Sequence, residues 1–202
     1  MMKIRKLFNP FEEIAGSKAL FYGLLAMMLT GFTGYFSHTH FPDALSIKVI
    51  PEYLPLGYYF MQQLIIWLIP SLIFYGFAFF GSSSSVRVVD VFGTMALARF
   101  PYLFAAPLGF SGSIKRFGDY IMAMVMEQDM KATITTFDII MAIILMFVMI
   151  LLTVWLVALM YNAFRVSSNI KGGKAVGMFI AGLFISIIAT MFANMWLHNM
   201  WT

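Results

Sequence analysis

Cysteine is absent from the 202-residue chain. Structural disulfides, iron–sulfur ligation and thiolate zinc sites are therefore excluded. Charge is scarce as well: Asp, Glu, Lys and Arg make up 11% of the residues, where soluble domains carry about a quarter. So little polar material cannot cover a water-facing shell, which excludes a soluble enzyme domain and a disordered tail. No H-E-x-x-H, G-x-S-x-G or phosphate-cradling Walker motif occurs, so neither catalytic residues nor a cofactor are expected. The net charge is +4, but the basic residues lie in short segments between apolar runs. A nucleic-acid binder would gather them on one patch, so no nucleic-acid partner is expected.

What is abundant is apolar: 61% of the residues. They form five runs, at about residues 19–36, 56–80, 88–110, 139–161 and 175–197. A helix needs roughly 20 residues to cross the hydrocarbon core, so the lipid bilayer is the expected environment. The pattern predicts an all-α polytopic membrane protein, a five-helix transmembrane bundle with interfacial amphipathic helices. Residues 1–18 read as an interfacial N-terminal helix on the cytoplasmic side, and residues 19–202 as the transmembrane unit. Asn9, Pro10 and Glu12 suit a helix start, and Leu7, Phe8, Phe11 and Ile14 supply its apolar side. Glu12 and Glu13 argue against a cleavable signal peptide. Between the third and fourth runs, Ile114, Phe117, Ile121, Met124 and Val125 recur at helical spacing, which predicts a second surface helix.

The third run carries Asp90, Arg99, Pro101 and Pro107. Pro101 breaks a helix there, leaving one interrupted span or a re-entrant pair of half-helices. Lys and Arg divide eight to four in favour of the N-terminal side with either four or five crossings. The N-terminus is thus expected in the cytoplasm, while the crossing number stays open.

Small residues mark helix contacts, because spans associate by close packing rather than by escape from water. The fifth run has Gly173, Gly177 and Ala181 on one face and Gly182, Ser186, Ala189 and Ala193 roughly opposite. A helix small on both sides is expected at the centre of the bundle. Gly31 and Gly34 offer a weaker contact on the first run.

Three stretches resemble the bacterial branch of the Yip family of membrane proteins. They are residues 7–14 (LFNPFEEI), residues 86–101 with Asp90, Gly93, Arg99 and Pro101, and the connector from Tyr161 to Gly177. The resemblance covers nearly the whole chain and rests on the order and spacing of short motifs. It implies five spans, a cytoplasmic N-terminus, a bacterial inner-membrane location and no catalytic chemistry. It also implies accompaniment of ABC-type export systems by some members. The Rab-linked acidic motif of eukaryotic relatives does not precede the first run, so no GTPase role carries over.

Arg99 is the sharpest candidate. A cation within an apolar run must snorkel, pair or meet water. It either binds an anionic lipid headgroup or a partner's carboxylate at the break, using the Leu97 and Leu103 carbonyls freed by the prolines, or it ends the first half-helix against its negative dipole end. Arg87 and Asp90, three apart, are expected to pair on one helix face. Asn162, Asn194, Gln62 and Gln63 are candidates for bonds between helices. His38, His40 and Asp43 form an H-x-H-x-x-D cluster that lacks a fourth ligand, and Met122, Met124, Met126 and Met130 have soft-ligand character for Cu(I). Solvated histidines and apolar filling are the plainer readings, and no metal is expected. Trp196, His198 and Trp201 read as an interfacial anchor. The expected function is a non-enzymatic accessory or scaffold subunit that contacts other membrane proteins or itself. A transport component for a lipid-like or small amphipathic solute is the alternative, an intramembrane enzyme comes third, and Cu(I) handling ranks below the transport alternative.

Overall fold

The computed structural model describes residues 7–50, 53–126 and 134–201. The fold is an all-α membrane bundle. Its helices are α1 (Gly16–Ser37), α2 (Leu56–Gly81), α3 (Val88–Ala98), α4 (Tyr102–Ala105), α5 (Ser113–Val125), α6 (Thr136–Ser168) and α7 (Gly172–Trp201). A 3-10 turn, Ala106–Ser111, continues α4, so that Val88–Ser111 forms one apolar stretch of 24 residues. With α1, α2, α6 and α7 it makes, among the described residues, five segments long and apolar enough to cross a membrane.

The close contacts of the third segment decide between one interrupted helix and a re-entrant pair. A Cβ on Gly93 would stand 2.4 Å from the Gly16 carbonyl, at the start of α1. One on Gly23 would meet the Ala96 backbone at 2.4 Å, and one on Gly109 would meet the Ser37 carbonyl at 2.2 Å, at the end of α1. The third segment therefore runs alongside α1, in the same direction, for its whole length. It crosses the bundle and does not turn back. Arg99, Pro101 and Ala106 all keep right-handed helical backbone, so the prolines interrupt hydrogen bonding without reversing the chain.

This third segment is the centre. In its most apolar window 56% of the residues are buried, against 28% in α7 and 11% in α6. The expectation that the fifth span lies centrally is corrected: α7 packs mainly on α2 with one face. Ala175, Phe179, Gly182, Ser186, Thr190, Asn194 and Leu197 are buried there, and a Cβ on Gly182 would press on the Phe74 ring at 2.7 Å. Ala189 and Ala193 are half-buried beside them. Gly173 and Gly177 have nothing within 4 Å of a Cβ, and Ala181 is exposed. The interrupted segment holds the centre because its polar groups and freed backbone need protein cover, which an unbroken apolar helix does not.

Of the expected N-terminal helix, residues 1–6 lie outside the described residues and Leu7 and Phe8 are helical, but the helix does not continue unbroken to residue 18. Between Asn9 and Ala15 the chain makes one 3-10 turn, Pro10–Glu12, and Gly16 then starts α1 with a φ of +58°. Asn9 donates to Glu12 at 2.9 Å and caps no backbone N–H. The segment is fastened to α6 instead: Trp155 Nε1 donates to the Leu7 carbonyl at 3.0 Å and Asn162 Nδ2 to that of Phe8 at 2.9 Å, while Phe11 is buried. Helix α5 forms as expected, outside the spans, with Ile121, Met124 and Val125 exposed. An Arg116–Asp138 ion pair of 2.6 Å ties it to α6.

Candidate functional site

Pro70 lies inside α2 and has no N–H, so the carbonyl of Ile66 loses its helical partner. Within hydrocarbon an orphan carbonyl costs several kcal/mol. Arg99, near the middle of the third segment, fills the vacancy: its Nη2 donates to the Ile66 carbonyl. Its Nη1 donates to the carbonyl of Ala44 at 2.6 Å, and Tyr102 Oη donates to the same oxygen at 2.8 Å. The guanidinium carbon lies 5.6 Å from the Tyr102 ring centre, a cation–π distance.

Ala44 belongs to the connector between α1 and α2. This connector begins with a short hairpin, β1 (Thr39–His40) and β2 (Lys48–Val49), and its middle dips into the bundle as far as Arg99. Irregular backbone at that depth needs every polar group matched. The Ala44 N–H meets Thr190 Oγ1 at 2.9 Å, and the Phe41 N–H meets Gln62 Oε1 at 2.8 Å. Thr39 Oγ1 donates to the Ala106 carbonyl at 2.9 Å. Asp43 folds the tip by accepting from the N–H groups of Leu45 and Ser46 at 2.8 and 3.0 Å. Side chains from α2, the third segment and α7 thus hold one re-entrant loop.

Arg99 is 2% exposed, and both its terminal nitrogens serve carbonyls of this chain. The expectation of a lipid headgroup or a partner's carboxylate on Arg99 is corrected accordingly. The Leu97 carbonyl does not call on it, because the Phe100 N–H closes a tight turn onto that oxygen at 3.0 Å. Arg87 and Asp90 form no ion pair among the described residues. Arg87 has extended backbone and precedes α3, so helical spacing does not bring the two together. Asp90 instead points at the start of α1, 3.1 Å from where a Gly16 Cβ would stand.

The metal candidates disperse. His40 Nε2 lies 3.2 Å from Tyr59 Oη, Asp43 serves the loop backbone, and His38 adopts left-handed backbone at the end of α1. Met122, Met124 and Met126 are exposed, and Met130 lies outside the described residues. No group of three or more His, Asp or Glu gathers among the described residues. Burial pushes His40 down to about 4, so it is neutral near pH 7.

Beside the loop, at the end of the bundle away from Gly16, is a cavity of about 240 Å³. His40, Lys48, Tyr58, Gln62, Asn194 and His198 give it polar walls, with Met191 and Met195 at one side. Asn162 and Gln62 bond to backbone of other segments as amides should. Asn194 does not: it is 2% exposed, and neither its Oδ1 nor its Nδ2 has a partner among the described residues. Nothing local in the sequence marks this cavity, because its walls come from the loop, α2 and α7, which are far apart in the chain. Compared with known proteins, the chain matches no family model, no curated protein and no solved structure.

Proposed function

We propose that this chain is a non-enzymatic accessory or scaffold subunit that works by contact with other membrane proteins. The observation that carries the reading is the bare stripe on α7. Gly173, Gly177 and Ala181 lie at four-residue steps on an exposed face, where among the described residues nothing comes within 4 Å of a Cβ on Gly173 or Gly177, while the opposite face packs on α2. Such stripes let a second helix approach closely. The alternative of a solute moving past Arg99 finds less support, because that side chain is enclosed by this chain's own backbone.

The surplus of Lys and Arg on the N-terminal side argues for that side in the cytoplasm, of a bacterial inner membrane in this proposal. The Yip-like motifs suggest an ABC-type export system as the partner class. Gentle detergent purification followed by mass spectrometry tests the reading. Wild-type protein should carry along a defined membrane partner or a second copy. Gly177→Ile should lose it while keeping expression and melting temperature. Solute flux in liposomes from the purified protein alone, unaffected by Gly177→Ile, would contradict the proposal in favour of transport.

A further inference from the structure

Asn194 is an expensive residue where it stands. An amide enclosed with neither atom bonded is worse than an aliphatic side chain of the same size. It also faces a cavity, so an occupant able to both give and accept hydrogen bonds would satisfy it. The wall chemistry narrows the occupant further. Among the described residues, one ammonium, Lys48, and two imidazoles, His40 and His198, stand around the cavity, and no carboxylate does. A cation is disfavoured there and an oxyanion favoured.

We propose that this cavity binds a phosphate group, gripped by the Asn194 amide N–H and the Lys48 ammonium, with Tyr58 beside it. The Asn194 carbonyl oxygen then takes a hydrogen bond from a hydroxyl on the same ligand. A glycerol headgroup or a protonated inorganic phosphate each offers that hydroxyl. The lipid source has a second argument. The cavity sits by the first turn of α2 and the last turns of α7, at the headgroup level of a membrane-spanning bundle. Its Met191 and Met195 side is 46% and 54% exposed, which gives acyl chains a continuous apolar path away from the headgroup. Tyr53 and Trp196, both exposed, suit an interfacial position at this end. Arg99 is a positioning residue for this site, because it holds Ala44 of the loop that carries His40 and Lys48. The inference is independent of the α7 stripe.

The test uses the full chain purified in detergent and native mass spectrometry. Titration with phosphatidylglycerol should give one retained lipid, preferred by about tenfold over phosphatidylcholine, which lacks the hydroxyl. Lys48→Ala, a change at an exposed side chain, and Asn194→Leu should each reduce retention by about tenfold. Displacement of the lipid by millimolar inorganic phosphate assigns the cavity to the free anion, and lack of displacement assigns it to the lipid-borne group. Wild-type retention in both variants, equal retention of the two lipids, or failure of both lipid and phosphate to bind overturns the proposal.

Discussion

Pro70 lacks an N–H, and the carbonyl left over at Ile66 is met by a guanidinium from another span. The pairing joins two residues that each weaken a membrane helix alone. Arg99→Met should destabilise the protein by about 3 kcal/mol, because Ile66 loses its donor and Ala44 keeps only Tyr102. Arg99→Lys should recover little, since one ammonium on a flexible stem does not present the planar fork that reaches two carbonyls. Pro70→Ala added to Arg99→Met should restore about 1 kcal/mol by returning the N–H that Ile66 lacks. Unfolding in detergent with added denaturant measures all three. Additivity of Arg99→Met and Pro70→Ala would contradict the pairing. At His40 the depressed value of about 4 sets a pH dependence. The unfolded chain takes up its proton near 6.5, above the folded value, so stability is intact above pH 6.5, falls between 6.5 and about 4, and levels below. Melting followed from pH 8 to pH 4 should show that loss, at most about 3 kcal/mol, and His40→Gln should flatten it.

Between elements, the tightest seam is α1 against α3, where backbones touch at Gly16, Gly23 and Gly93. Gly23→Ala and Gly93→Ala should each cost about 1–3 kcal/mol, since a Cβ there meets backbone, which cannot swing aside. Gly177→Ala should leave the melting temperature unchanged, because nothing lies within 4 Å of that position. The sequence pattern revealed the five apolar elements and the amphipathic α5, since run length and spacing are local properties. It did not reveal which small-residue face is covered. Gly177 and Gly182 look alike in the chain, and only the placement of Phe74 distinguishes them. Arg99 and Pro70 were both visible, and an unpaired donor and an unpaired acceptor in one bundle are a signal that they meet. The re-entrant loop had no such signal, because its backbone is satisfied by Gln62, Thr190 and Arg99 from three distant segments. Asn194 reads in the sequence as a candidate for a bond between helices, and nothing local marks it as a cavity wall.

At the scale of the whole molecule, the bundle is built outward from an interrupted span. The third segment is the most buried because it has the most to hide, and α6 and α7 close the outside with mostly exposed apolar faces. Among the described residues the one re-entrant piece is the loop between α1 and α2, which enters from the end opposite Gly16 and is held at Ala44. This architecture requires the third segment to pass fully across the membrane. Absence of native cysteine makes the direct measurement clean: single cysteines introduced by Ser83→Cys, Lys115→Cys and Lys171→Cys, labelled with a membrane-impermeant maleimide in intact and in permeabilised membranes. Ser83→Cys and Lys171→Cys should label from one side and Lys115→Cys from the other. Labelling of Ser83→Cys and Lys115→Cys from the same side would contradict it.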